Sequence, residues 1–122
     1  MVARKTLLYV QTCGADRPER LYAPFILAST ARAMGYDAVV YFLINGVEVV
    51  KKGVAERIKL GEFPSLKEVM DQAVNAGVKL QVCEQSCALL GIPRGDFIPK
   101  AEIVGAATLN KLCLESDATL FF

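Results

Sequence analysis

Four cysteines and no histidine define the reactive side chains of this 122-residue chain. Two of the cysteines, Cys83 and Cys87, stand four residues apart in "VCEQSCALLGI", Val82 to Ile92. Zinc ribbons and thioredoxin-like dithiols use C-x-x-C, so a C-x-x-x-C spacing needs another account. The lack of imidazole removes Ser-His-Asp and Cys-His catalysis. A thiol here must be activated by a helix N-terminus, by a nearby Lys or Arg, or by the substrate. Cys13 and Cys113 are isolated in sequence. Without paired ligand knuckles or histidine, neither a metal nor another cofactor is expected.

The elements that position these thiols are read from pattern and punctuation. "KTLLYVQ", Lys5 to Gln11, reads as a buried strand, and "TCGADRPE" as the polar turn after it. "RLYAPFILASTARAMG" reads as a helix closed by Gly35, starting near Tyr22 or kinked at Pro24. "DAVVYFLI", Asp37 to Ile44, is a second strand that Asn45-Gly46 ends. Val47 to Leu60 reads as a surface loop with a short helical turn, interrupted at Gly53.

"SLKEVMDQAVNAG" is the clearest helix. Ser65 and Glu68 form a capping box, Leu66, Val69, Met70 and Ala73 repeat on one face, and Gly77 stops it. Val78 to Cys83 is a third strand, "EQSCALLG" a short helix, "AEIVG" a strand, "AATLNKLCLES" a helix and "ATLFF" a last strand. Strands alternating with crossover helices predict a three-layer α/β/α sandwich on a mainly parallel five-stranded sheet, flavodoxin- or Rossmann-like, in a single domain.

In such a sheet, ligands bind beyond the carboxyl ends of the strands. Cys13 comes just after the first strand, and Cys83 ends the third at the start of a helix. Free backbone N–H groups there would stabilise a thiolate or a persulfide anion. Cys87, one turn on, either packs in the core or resolves a disulfide. If the first and third strands are close neighbours, Cys13 and Cys83 share a pocket. Cys83 is expected to alkylate first, with its sulfur in or near a pocket. Cys113 is expected on the packed face of its helix. "QTCGADRPE" matches no phosphate-loop pattern, and "PRGD" reads as a turn.

Composition narrows the class. Hydrophobic residues make up 53% and charged ones 22%, and 14 basic against 13 acidic residues leave +1, with no basic stripe. That argues for a folded chain and against nucleic acid as partner. No apolar run approaches a membrane span, and the start does not read as a signal peptide, so the expected location is the cytoplasm, where thiols stay free. A mean hydropathy of +0.35 is high for so short a chain and favours a homo-oligomer. Val47, Val49, Val50, Val54 and Ile58 mark Val47 to Leu60 as the candidate interface.

The ordered set "RPE", "FLINGVEVVKKG", "AGVKLQVCEQSCALLGI", "IVGAATLNKL" and "DATLFF" resembles the DsrE/DsrF-like family of small sulfur-relay proteins, in its stand-alone homo-oligomeric branch. The resemblance spans nearly the whole chain. It implies a parallel α/β sandwich assembled as a trimer or hexamer, and a persulfide-carrying cysteine after a mid-chain strand, which Cys83 matches. Arg94-Gly95 stands in a different setting from the family's "RG" and inherits no role. Cys87 and Cys13 are accessory thiols that the motif does not assign.

These observations favour a sulfur carrier that takes persulfide sulfur from a donor protein on Cys83 and passes it to an acceptor protein. The alternatives are a thiol redox switch joining Cys83 to Cys87 or Cys13, and an oligomeric binding module without chemistry. Glu84, beside Cys83, works against a thiolate, and the helix start works for it.

Overall fold

The computed structural model describes residues 4–122. Five strands, β1 (Thr6–Gln11), β2 (Asp37–Phe42), β3 (Lys79–Cys83), β4 (Ala101–Val104) and β5 (Ala118–Phe121), form one sheet in the order β4-β3-β2-β1-β5. Every pairing is parallel. Four helices alternate with them: α1 (Tyr22–Ala33), α2 (Leu66–Asn75), α3 (Glu84–Leu90) and α4 (Ala106–Glu115). This is the parallel α/β architecture that the alternating pattern predicts.

Side-chain alternation sorts the strands into two faces. One face carries Tyr9, Val40, Phe42, Leu80 and Val82 and packs with Phe25 of α1 and Leu66, Met70 and Ala73 of α2. The other carries Leu8, Val10, Val39, Tyr41 and Cys83, covered by Leu109 and Leu112 of α4. The second cluster is the smaller.

The helix ends obey local chemistry. Ser65 caps α2, its side chain accepting from the Glu68 N–H at 3.3 Å. Gly35, Gly77 and Gly91 all have positive φ just after a helix, where a Cβ would be strained. Pro24 lies in the first turn of α1, which starts at Tyr22, so its missing N–H breaks no helical bond.

Two expectations are corrected. The second strand stops at Phe42, not Ile44, and the chain enters a 3-10 segment, Ile44–Val50. Ile44 takes φ 56°, which breaks the extended path. The stretch from Val47 to Leu60 is not an apolar surface: Val47, Val49, Val50 and Ile58 are buried in the larger cluster, and Val54 packs against it. Its irregular backbone covers the carboxyl-side end of that core, which explains its valine content without a partner subunit.

Gly46 passes directly over the end of β1. A Cβ there would collide with the backbone carbonyl of Gln11, which cannot swing aside as a side chain could. Gly46→Ala is therefore expected to destabilise the fold by about 2 kcal/mol or more, read as a lower urea midpoint at unchanged slope. An unchanged midpoint would show that this contact is slack.

Candidate functional site

β3 delivers Cys83 to the carboxyl edge of the sheet, and the chain turns at once into α3. Cys83 is the N-cap of that helix, in extended conformation, and its sulfur accepts from the Ser86 N–H at 3.4 Å. The thiol donates to Gln85 Oε1 at 3.7 Å. Ser86, itself buried, takes the Ile44 N–H on its hydroxyl at 2.8 Å. The unusual backbone of Ile44 is thus tied to the same turn that presents an N–H to the sulfur.

The neighbouring charge is balanced on the surface. Glu84 Oε2 lies 3.0 Å from the Arg94 guanidinium, both side chains being largely exposed. Arg94 thereby offsets the carboxylate beside Cys83, although screening by water keeps the pair weak.

On the sheet side, Tyr41 is buried in the same cluster as Cys83. Its hydroxyl donates to the Gly105 carbonyl at 3.4 Å. Burial first, then the charge and hydrogen bonding of Cys83, hold its phenol well above the ordinary range. Tyr41 is therefore a neutral donor at any physiological pH.

The other thiols are placed apart. All four cysteines are free. Cys87 is buried in the larger cluster, whereas Cys83 belongs to the smaller one. Burial, then the charge of Cys83, pushes the Cys87 thiol up, so it stays protonated at neutral pH and makes a poor nucleophile. Cys13 is half-buried after β1, its N–H donating to Gln11 Oε1 at 2.9 Å, and packs against the larger cluster. Strand β2 separates β1 from β3, so the close neighbourhood needed for a pocket shared by Cys13 and Cys83 is absent.

Cys113 corrects an expectation. It is exposed, not on a packed face, because α4 touches the sheet only through residues such as Leu109 and Leu112 and buries no residue fully. Two cavities, of about 280 and 290 Å³, lie at the amino ends of the strands around Gly77 and Lys79. Cys83 lines neither.

Ser86, Gln85 and Tyr41 escaped the sequence reading. The first two lie inside "CEQSC" and could have been found by asking what caps the helix. Tyr41 carries no local signal, because its proximity to Cys83 depends on β2 and β3 being neighbours.

The model of the DsrE/DsrF-like family matches residues 5–122. The chain belongs to the DsrE/DsrF-like family. It is 33% identical over 107 residues to an uncharacterized protein of Methanocaldococcus jannaschii, a match that covers 87% of this chain and 39% of that protein. The chain thus spans well under half of that relative's length. It is 27% identical, over a 158-residue alignment, to the sulfur carrier protein DsrE2 of Allochromatium vinosum, covering 97% of this chain and 98% of the relative. The fold is shared with the ychN protein of E. coli at TM-score 0.80 and 20% identity, over 97% of this chain and 99% of that one. Among the described residues, no helix is long and apolar enough to cross a membrane.

Burial favours the opposite labelling order to the one expected from sequence. Cys83 is 4% exposed, while Cys113 lies open on α4. A bulky maleimide under limiting conditions is expected to label Cys113 before Cys83 in the native protein, read by peptide mass mapping. Prior labelling of Cys83 would show that its turn opens readily in solution.

Proposed function

We propose that this protein is a sulfur carrier that holds persulfide sulfur on Cys83. The observation that carries the reading is the Cys83 sulfur at a strand-to-helix turn, receiving the Ser86 N–H. Membership of the family and the likeness to a sulfur carrier protein support it.

The chemistry is thiol exchange and needs no histidine. The Cys83 thiolate attacks the outer sulfur of a donor persulfide, R–S–SH. The S–S bond of the donor breaks, R–S⁻ leaves with the electron pair, and Cys83–S–SH forms. An acceptor thiolate then attacks that outer sulfur and regenerates the Cys83 thiolate. No net oxidation occurs, and the proton stays on the moving sulfur. Backbone N–H donation stabilises the Cys83 thiolate at the start of the first half-reaction and at the end of the second. The donor and acceptor are proteins presenting slim thiol or persulfide groups, since Cys83 is nearly covered.

The unit of function on this reading is one domain acting in the cytoplasm, where exposed Cys113 and the other thiols stay reduced. It works as a homo-oligomer, a trimer or hexamer. With the valines of 47–60 buried, the self-association surface moves to the thinly covered side. Leu114 on α4 is 87% exposed, and Phe121 on edge strand β5 is 63% exposed. Static light scattering at micromolar concentration is expected to give an oligomer, and Leu114→Glu to shift it toward monomer. A wild-type monomer would overturn this assembly.

The carrier reading is tested by intact mass after incubation with inorganic polysulfide. The wild type is expected to gain sulfur that maps to Cys83. Cys83→Ser is expected to lose that gain, whereas Cys87→Ser and Cys13→Ser keep at least part of it. Sulfur mapped to Cys13 or Cys87 in Cys83→Ser would refute the assignment. Loss of two hydrogens instead would indicate a disulfide switch.

A further inference from the structure

Tyr41 brings a side-chain hydroxyl into the smaller cluster, which also holds Cys83. Its bond to the Gly105 carbonyl, at 3.4 Å, is long against the roughly 2.5–3.0 Å usual for O–H···O. A fully buried hydroxyl ordinarily secures a better acceptor.

A second acceptor stands within reach. The β2–β3 register pairs Tyr41 with Gln81, so Cys83 is its diagonal neighbour one step further along the same face. The Tyr41 side chain already reaches across β3 to Gly105, the residue after Val104, which pairs with Cys83. Burial first, and then Cys83, raises the phenol above its ordinary range, as expected for a hydroxyl close to that sulfur. One proton therefore faces two acceptors, a carbonyl and a sulfur.

We propose that the Tyr41 hydroxyl turns from the Gly105 carbonyl to the Cys83 sulfur when that sulfur becomes anionic, and is its side-chain hydrogen-bond donor. The neutral thiol donates to Gln85 and has little need of Tyr41. An anion cannot donate, and it attracts donors about twice as strongly as a neutral acceptor does. Ser86 supplies one donor from the backbone, and Tyr41 supplies the second from the sheet side. The hydroxyl keeps its proton throughout.

Several titratable groups lie on the elements packed around the sulfur. They include Tyr41 from β2, Cys87 and Glu84 from α3, and Arg94, which pairs with Glu84. β1 and α4 present Leu8, Val10, Leu109 and Leu112. None of the other groups is altered when the Tyr41 hydroxyl alone is removed.

The inference rests on the carrier reading for its purpose, but the test separates the two. Tyr41→Phe keeps the ring and deletes only the hydroxyl. In a Cys113→Ser background, iodoacetamide alkylation of Cys83 is monitored against pH by peptide mass, alongside polysulfide loading. Tyr41→Phe is expected to slow both by about tenfold to a hundredfold at neutral pH. The alkylation profile should move to higher pH and rejoin the parent's at the alkaline end. A purely structural role would change the rate at every pH without moving the profile. A superimposable profile overturns the inference. A shifted profile with no sulfur loading in the parent upholds Tyr41 as donor and removes the carrier reading. Should Tyr41→Phe fail to fold, fluorotyrosine at this position, a stronger donor, must move the profile to lower pH. An unmoved profile there also overturns the inference.

Discussion

A parallel sheet is stable only when both faces are covered, and this one is covered unequally. Helices α1 and α2, together with the irregular stretch after β2, bury one face under the larger cluster. Helix α4 lies over the other, with Leu43 and Val104 beside it. This inequality governs where the valines and the thiols end up. It puts Val47, Val49 and Val50 in the interior, leaves Leu114 and Cys113 outside, and sets Cys83 in the thinner cluster. A thiol near the thin side can be approached without dismantling the main core.

The same thinness makes the polar groups around Cys83 consequential. An anion in apolar surroundings is costly unless donors meet it. No imidazole is available, and the Arg94 guanidinium is occupied with Glu84 at the surface. What remains is the Ser86 N–H, held in place through the Ile44 bond, and the Tyr41 hydroxyl. Exchange at sulfur suits such a site, because it asks for stabilised anions and not for a base that removes protons.

Much of the fold was legible because its signals are local. Ser65 as a cap and Gly35, Gly77 and Gly91 as stops are each dictated by the conformation that one residue must adopt. The thiol at the end of β3 was legible for the same reason. Burial after β2 was not. The valines there sit on 3-10 segments whose spacing matches neither strand nor helix, so a hidden core strip reads as an apolar surface. Cys113 failed in the opposite sense. A helical pattern says that a helix has an inner face, but not that only a few of its residues will use it. Tyr41 was invisible because strand order is a long-range property, and the β2–β3 adjacency that brings it to Cys83 is written in no single segment.

The C-x-x-x-C spacing now has a structural meaning. Cys83 caps the helix, and the cap turn fixes its sulfur against Ser86 and the small cluster. Four residues later, Cys87 enters the large cluster, among residues that anchor α3 to the stretch after β2. The first thiol gains donors from that arrangement. The second loses water and is pushed toward its protonated form, in part by the charge on the first. A pair built to resolve as a disulfide needs two sulfurs that take turns as nucleophile. Here the environments differ, one thiol held at the cap turn and the other packed in the main core. Two helical residues at this spacing would share a face. Cys83 is instead the extended cap residue, still belonging to the sheet, so its side chain joins the cluster on one side of β3 while the first full turn of α3 carries Cys87 to the cluster on the other.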